Sequence, residues 1–157
     1  MQRILDVFRL LGSLLLVVGL GACSNDDCPI NNTVQGKMAF YNLQGKSISI
    51  DTLTVSVVRP QGDSVVLNRM NYASEVLFPL SYTHDTDTLI FVYGGGLRDS
   101  LYVDHINIPV LVSVDCGTAM YHTITSVGST HHGIDTLILN SSEVNYDERE
   151  NIQVIYR

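Results

Sequence analysis

The chain has 157 residues, 45% of them hydrophobic, with 16 acidic and 9 basic side chains and a formal charge of −7. That length supports one domain of ordinary size and excludes a second full one. The acidic balance argues against a nucleic-acid partner, because phosphate backbones are held by clustered Lys and Arg and the only lysines are Lys37 and Lys46.

The first element is an address. Arg3 and Arg9 make a positive start, positions 10–20 an apolar core, and Leu20-Gly21-Ala22 a run ending on small residues ahead of Cys23. An apolar core of that length is too short to span a bilayer as a permanent helix. A buried N-terminal helix would show an amphipathic stripe, which is absent. Leu20-Gly21-Ala22-Cys23 resembles the lipobox of bacterial lipoproteins. The resemblance implies a signal peptide over 1–22 and lipidation of Cys23, which becomes the first mature residue with a diacylglyceryl thioether and usually an acylated amine. Two or three acyl chains, at about 0.8 kcal/mol per buried methylene, hold a protein stably on a membrane. Ser24 stands where some Gram-negative bacteria place a retention aspartate, which by analogy points to the outer membrane. Asn25-Asp26-Asp27 make 24–27 similar to the short acidic export signals of Bacteroidota, so a cell-surface and a periplasmic orientation both stay open. Residues 23–35 read as a lipidated acidic tether. Its first part, 24–27, has no apolar side chain to bury and is expected to make no fixed contact with the body.

The body, 36–157, reads as strands. Short runs rich in Val, Ile, Leu, Thr and Tyr fall at 37–41, 47–59, 64–70, 75–80, 88–93, 100–114, 119–127, 133–139 and 151–156, separated by Gly, Asn, Asp, Ser or Pro. Period two is explicit: Leu53, Val55 and Val57 share a face, and Ile106, Ile108, Val110, Val112 and Val114 share another. No stretch after Cys23 keeps a helical period. The expectation is an all-β, antiparallel two-sheet sandwich, immunoglobulin-like, of about eight or nine strands. Parallel pairing would need crossover helices. Pro109 cannot donate to a ladder, so an edge position or a switch between sheets is expected there. Gly94-Gly95-Gly96 lacks the lysine and hydroxyl of a phosphate loop and reads as a hairpin connection. Positions 140–150 form a polar, acidic loop.

With Cys23 lipidated, Cys28 and Cys116 remain, an even number in an oxidising compartment, and a disulfide between them is expected. Cys116 shares the parity of Val110, Val112 and Val114 and is expected to point inward. Among five histidines, His131-His132 is the strongest metal candidate, because Gly128-Ser129-Thr130 and Gly133 could bend the loop enough for both to reach one ion, with His122 on the strand leading in. The plainer reading is a solvated hairpin tip. His84-Asp85-Thr86-Asp87 offers alternating oxygens but lacks the length and final Glu of a calcium loop.

Asp followed by Ser or Thr and an apolar residue recurs at Asp51-Thr52-Leu53, Asp63-Ser64-Val65, Asp87-Thr88-Leu89, Asp99-Ser100-Leu101 and Asp135-Thr136-Leu137. These resemble the O-glycosylation sequon of exported Bacteroidota proteins, which implies Thr52, Ser64, Thr88, Ser100 and Thr136 as acceptors. The same triplets also stand where a turn hands over to a strand, which is ordinary turn chemistry. Phe78-Pro79-Leu80, Asp99-Ser100-Leu101-Tyr102-Val103, Ser113-Val114-Asp115-Cys116-Gly117, Gly133-Ile134-Asp135-Thr136-Leu137 and Asn151-Ile152-Gln153-Val154 together resemble a family of small Bacteroidales lipoproteins of unknown function. That resemblance carries no activity or catalytic residues.

Three function classes follow. The reading adopted is a non-enzymatic accessory or binding module, lipid-anchored in the envelope, because catalytic motifs are absent and β-sandwiches commonly serve this way. It calls for no cofactor. Its expected partners are the membrane, through the anchor, and an outer-membrane protein or surface glycan. The alternatives are a metal-binding lipoprotein using His131 and His132, and a hydrolase using scattered His and Asp residues.

Overall fold

A computed structural model describes residues 28 and 33–157. The signal segment 1–22, the lipidation candidate Cys23 and the acidic stretch 24–27 lie outside the described residues. Ten strands form: β1 Gln35–Tyr41, β2 Ile50–Val57, β3 Ser64–Ala73, β4 Glu75–Pro79, β5 Thr86–Tyr93, β6 Arg98–Ser113, β7 Gly117–Ser129, β8 Ile134–Leu139, β9 Glu143–Val144 and β10 Glu150–Tyr156. They make a four-stranded sheet in the order β4-β1-β10-β8 and a six-stranded sheet in the order β3-β2-β5-β6-β7-β9, packed as a sandwich. The strand beyond the expected eight or nine is β9, two residues inside the polar loop 140–150. It exists because Val144 is buried and pairs with His122 of β7.

Seven of the eight ladders are antiparallel; β1 and β10 run parallel. The expectation of antiparallel pairing throughout is corrected there. No crossover helix is needed, because the chain between the two strands, which builds the whole second sheet, serves as the connection. The likeness to an immunoglobulin domain is one of architecture, two packed sheets, since the strand order differs from the ABED and CFG sheets of that fold.

Alternation builds the core. Leu53, Val55 and Val57 of β2 and Leu89 and Phe91 of β5 are fully buried, and across the sandwich Met38, Phe40, Phe78, Ile152 and Val154 meet them. The Phe40 and Phe91 rings make an edge-to-face contact at 6.4 Å between the sheets. Val34 is also buried and β1 starts at Gln35, so the body begins slightly before position 36. Gly36 packs against the face of Phe78, where a Cβ would come within 2.3 Å of the ring.

On β6 the inward face is Asp99, Leu101, Val103 and His105. Ile106 and Ile108 face solvent, and Val114 is 92% exposed. The expectation that the Ile106-to-Val114 set and Cys116 point inward is therefore corrected. Ile106 and Ile108 have the opposite parity to that inward face; beyond them an extra residue at Val112 breaks the count, and Cys116 sits in the turn to β7 rather than on the strand. Pairing of β6 with β5 stops at Asp104, so Pro109 lies where β6 has only β7 beside it, an edge position as expected.

Register fixes the two ends of the sandwich. At the lower end β1, β5 and β10 begin and β2, β4 and β8 finish; the turns at 42–46, 94–97 and 130–133 lie at the upper end. The unpaired half of β6 and its β7 partner project from the lower end as a two-stranded ribbon.

Candidate functional site

The lower end holds a buried polar cluster under an open cleft. The alternation that carries Leu89 and Phe91 inward on β5 carries Asp87 inward as well, and on β6 the same parity brings His105 beside it. Both are sealed from solvent. A buried carboxylate costs several kcal/mol unless it is paired and hydrogen-bonded. Asp87 accepts from the Arg59 guanidinium, from the Ser81 backbone N–H at 2.6 Å and from Nε2 of His105 at 3.1 Å.

A second histidine sits beyond the first. The His122 ring meets His105 edge-to-face at 5.1 Å, and its Nδ1 lies 2.7 Å from Oδ1 of Asn107. Asn107 turns its amide nitrogen to the His84 carbonyl, so its oxygen faces His122 and Nδ1 of that ring is the donor. Burial, and then the neighbouring His105, lower the His122 pKa to about 4, and the ring is neutral at neutral pH. Tyr82 stacks on His122 at 5.8 Å with planes 23° apart. The cleft in front has a volume of about 540 Å³ and is bordered by Arg59, Gln61, Tyr82, His84 and Thr86.

This arrangement is a brace with an aromatic shelf on it. Nδ1 of His105 and Nε2 of His122 are buried without a hydrogen-bond partner among the described residues. Ser81, 3.1 Å from Nδ1 of His84, uses its Oγ to accept the backbone N–H groups of Thr83 and His84, a turn-closing role.

The other candidate residues lie elsewhere. His131 and His132 are exposed in the β7–β8 turn at the upper end, separated from His122 by roughly 23 Å of strand. The structure does not bring His122 to them. The His131-His132 turn is organised from below by Asp99, which is buried and accepts from Thr130 Oγ1 at 2.8 Å, the N–H groups of His132 and Gly133 at 2.7 Å, Ile134 N–H at 3.1 Å and the Tyr93 hydroxyl at 3.3 Å. Burial alone would raise the Asp99 pKa; these donors outweigh it and hold the carboxyl below its ordinary value. Nδ1 of His131 lies 2.9 Å from the Asp135 carbonyl. Among the described residues no three His, Cys, Asp or Glu side chains gather as a metal site would require.

Of the five hydroxyls in Asp-Ser/Thr-apolar triplets, Ser64 and Thr136 are exposed, and Thr52, Thr88 and Ser100 are half-buried. Asp87 and Asp99 of those triplets are buried hubs, so two of the five repeats have a structural origin inside strands rather than in turns. Thr52 Oγ1 donates to Asn71 across the β2–β3 ladder. Cys28 and Cys116 are joined in the expected disulfide, with Cα atoms 5.3 Å apart.

Reading the sequence missed Arg59, Tyr82 and His105. The usable signal was a polar residue at inward parity in an apolar strand, present in Asp99-x-Leu101-x-Val103-x-His105. No curated protein and no solved structure matches the chain. Residues 52–156 match the model of a family of unknown function (DUF6452), and the chain belongs to that family.

Proposed function

We propose that the chain is a lipid-anchored outer-membrane protein of the Bacteroidales lipoprotein type, at the cell surface or the periplasmic face, acting as a non-enzymatic binding module for a glycan. The observation that carries the reading is the Tyr82 shelf: one ring face rests on His122, and the ring borders an open cleft whose rim offers Arg59, Gln61 and His84. Saccharides are recognised by such a combination, an aromatic face for the C–H side of the sugar ring and fixed polar groups for its hydroxyls. The Arg59–Asp87–His105 network, with Asp87 and His105 buried and Arg59 at the rim, supports His122 beneath the shelf, which lowers the ordering cost of binding. The lipobox at Cys23 and the Cys28–Cys116 bridge both fit an oxidising envelope compartment.

The test uses the detergent-solubilised full chain. Binding to a panel of envelope polysaccharides should be found and should fall at least tenfold in Tyr82→Ala, with the fold intact by circular dichroism. Equal binding by Tyr82→Ala, or robust turnover of a bound polymer by the unaltered protein, would refute the reading. Mass spectrometry of the native protein should find acyl chains on Cys23, and Cys23→Ala should abolish membrane retention.

A further inference from the structure

We propose that the tip of the β6–β7 ribbon, led by Leu111 and Val114, docks into the surface of the bilayer that holds the anchor. The proposal rests on the reading of Cys23 as the lipidated residue. Past His105, whose backbone N–H still donates to the Asp85 carbonyl at 2.8 Å, β6 has no strand beside it on its β5 side among the described residues, and the ribbon leaves the sandwich with Ile106 55%, Ile108 42%, Leu111 66% and Val114 92% exposed. The ribbon itself carries little charge: from Ile106 to Tyr121 the only charged side chain is Asp115, in a chain of net −7, and Glu143 of β9 lies two strands from Ile106 at the ribbon's base. A projecting apolar arm of this kind marks an interaction surface.

The disulfide identifies what meets it. Cys116, two residues from Val114, is bonded to Cys28, and Cys28 is five residues from Cys23. Five residues reach at most about 18 Å when fully extended. The acyl chains on Cys23 and the exposed tip are therefore held within one short span of each other, and the apolar surface that the span supplies is lipid. Asp115 beside Val114 stays at headgroup depth, because a carboxylate is costly in hydrocarbon, so insertion is shallow and confined to the tip. Bonding to Cys28 also rigidifies the ribbon where it meets the membrane. The anchor is thus made at two points, and the sandwich is oriented with its lower end, and the Tyr82 cleft, toward the bilayer.

The chain contains no tryptophan, so a single introduced one reports alone. Full-length lipidated Val114→Trp is reconstituted in phosphatidylcholine vesicles with and without brominated acyl chains. Leu43→Trp, in the exposed turn after β1 at the opposite end, serves as control. Docking predicts that Val114→Trp loses at least half its fluorescence to brominated lipid while Leu43→Trp is unaffected. Equal, weak quenching of both, in protein that floats with the vesicles, overturns the docking and leaves the anchor standing. Blue-shifted, unquenched emission with a dimer mass assigns the tip to a second copy and also overturns it. Protein that lacks acyl chains by mass and fails to float overturns the reading of Cys23, and the docking falls with it.

Discussion

Asp99→Asn is the most informative single substitution at the upper end. It keeps the shape and removes the charge and one acceptor. The carboxylate receives five donors from Tyr93, Thr130, His132, Gly133 and Ile134. An amide oxygen can retain the set on one side, but the NH2 group then faces donors on the other, and at least one backbone N–H is left buried and unpaired. Each such orphan costs about 1–3 kcal/mol, and the surviving bonds lose their charge assistance, so a loss of about 3–4 kcal/mol is expected. For a domain of this size that lowers Tm by about 10–15 °C. Urea unfolding at neutral pH measures it. The pH dependence supplies a second check. The Asp99 carboxyl is held below its ordinary value, so its stabilisation is present above the unfolded pKa of about 4 and is lost as pH falls through the folded value. The gap between wild type and Asp99→Asn should therefore narrow below about pH 4. A neutral-pH loss under about 1 kcal/mol, or a gap that stays constant to pH 3, would refute the view that this carboxylate organises the His131-His132 turn.

Removing the disulfide by Cys28→Ser with Cys116→Ser frees a sequence separation of 88 residues and should cost about 4–5 kcal/mol in the chain-entropy model, read from the urea midpoint; non-reducing peptide mapping of the unaltered chain should recover the crosslinked pair. Burial and His105 depress the His122 pKa to about 4 against about 6.5 in the unfolded chain, so only the unfolded state gains this proton as pH falls through that window, and stability should decline by up to about 3 kcal/mol between those values. His122→Phe should flatten that slope, and an unchanged slope would show that another group produces it. Gly36→Ala drives a methyl into the Phe78 ring and should destabilise by about 1–3 kcal/mol or more, with Phe78→Leu in the same chain recovering part of the loss.

The sandwich was legible because its strands obey a local rule. Leu53, Val55 and Val57 announce a buried face by alternation alone, and the structure buries all three. On β6 the rule offered two sets of opposite parity, Leu101 and Val103 against Ile106 and Ile108, and the structure buries the first. Farther on, an extra residue at Val112 and the turn at 114–116 take Cys116 off either face, and bulges leave no mark in hydrophobic periodicity. The parallel β1–β10 pair was invisible for a different reason: pairing between distant strands is decided by the assembled sheet, not by either segment. The cleft was legible only in part. Asp87 was noticed as a member of a triplet, but its partners Arg59, Ser81 and His105 come from three separate segments, and no spacing in the chain connects them. His131-His132 drew attention as a pair of metal-type ligands, whereas the carboxylate that matters to that turn, Asp99, is some thirty positions away and reaches it through β6.

Placing the first and last strands side by side also governs when the molecule can exist. β1 is held between β4 and β10, and β10 is the last strand of the described chain to emerge during synthesis or passage through a translocon. Until residue 150 has emerged, the four-stranded sheet lacks the strand that joins β1 and β4 to β8, and the apolar faces of Met38 and Phe40 have nothing to close over them on that side. Contacts of such sequence separation form late and slowly. Closure of the four-stranded sheet therefore waits for β10, and a truncation that removes β10 should not yield a smaller folded protein.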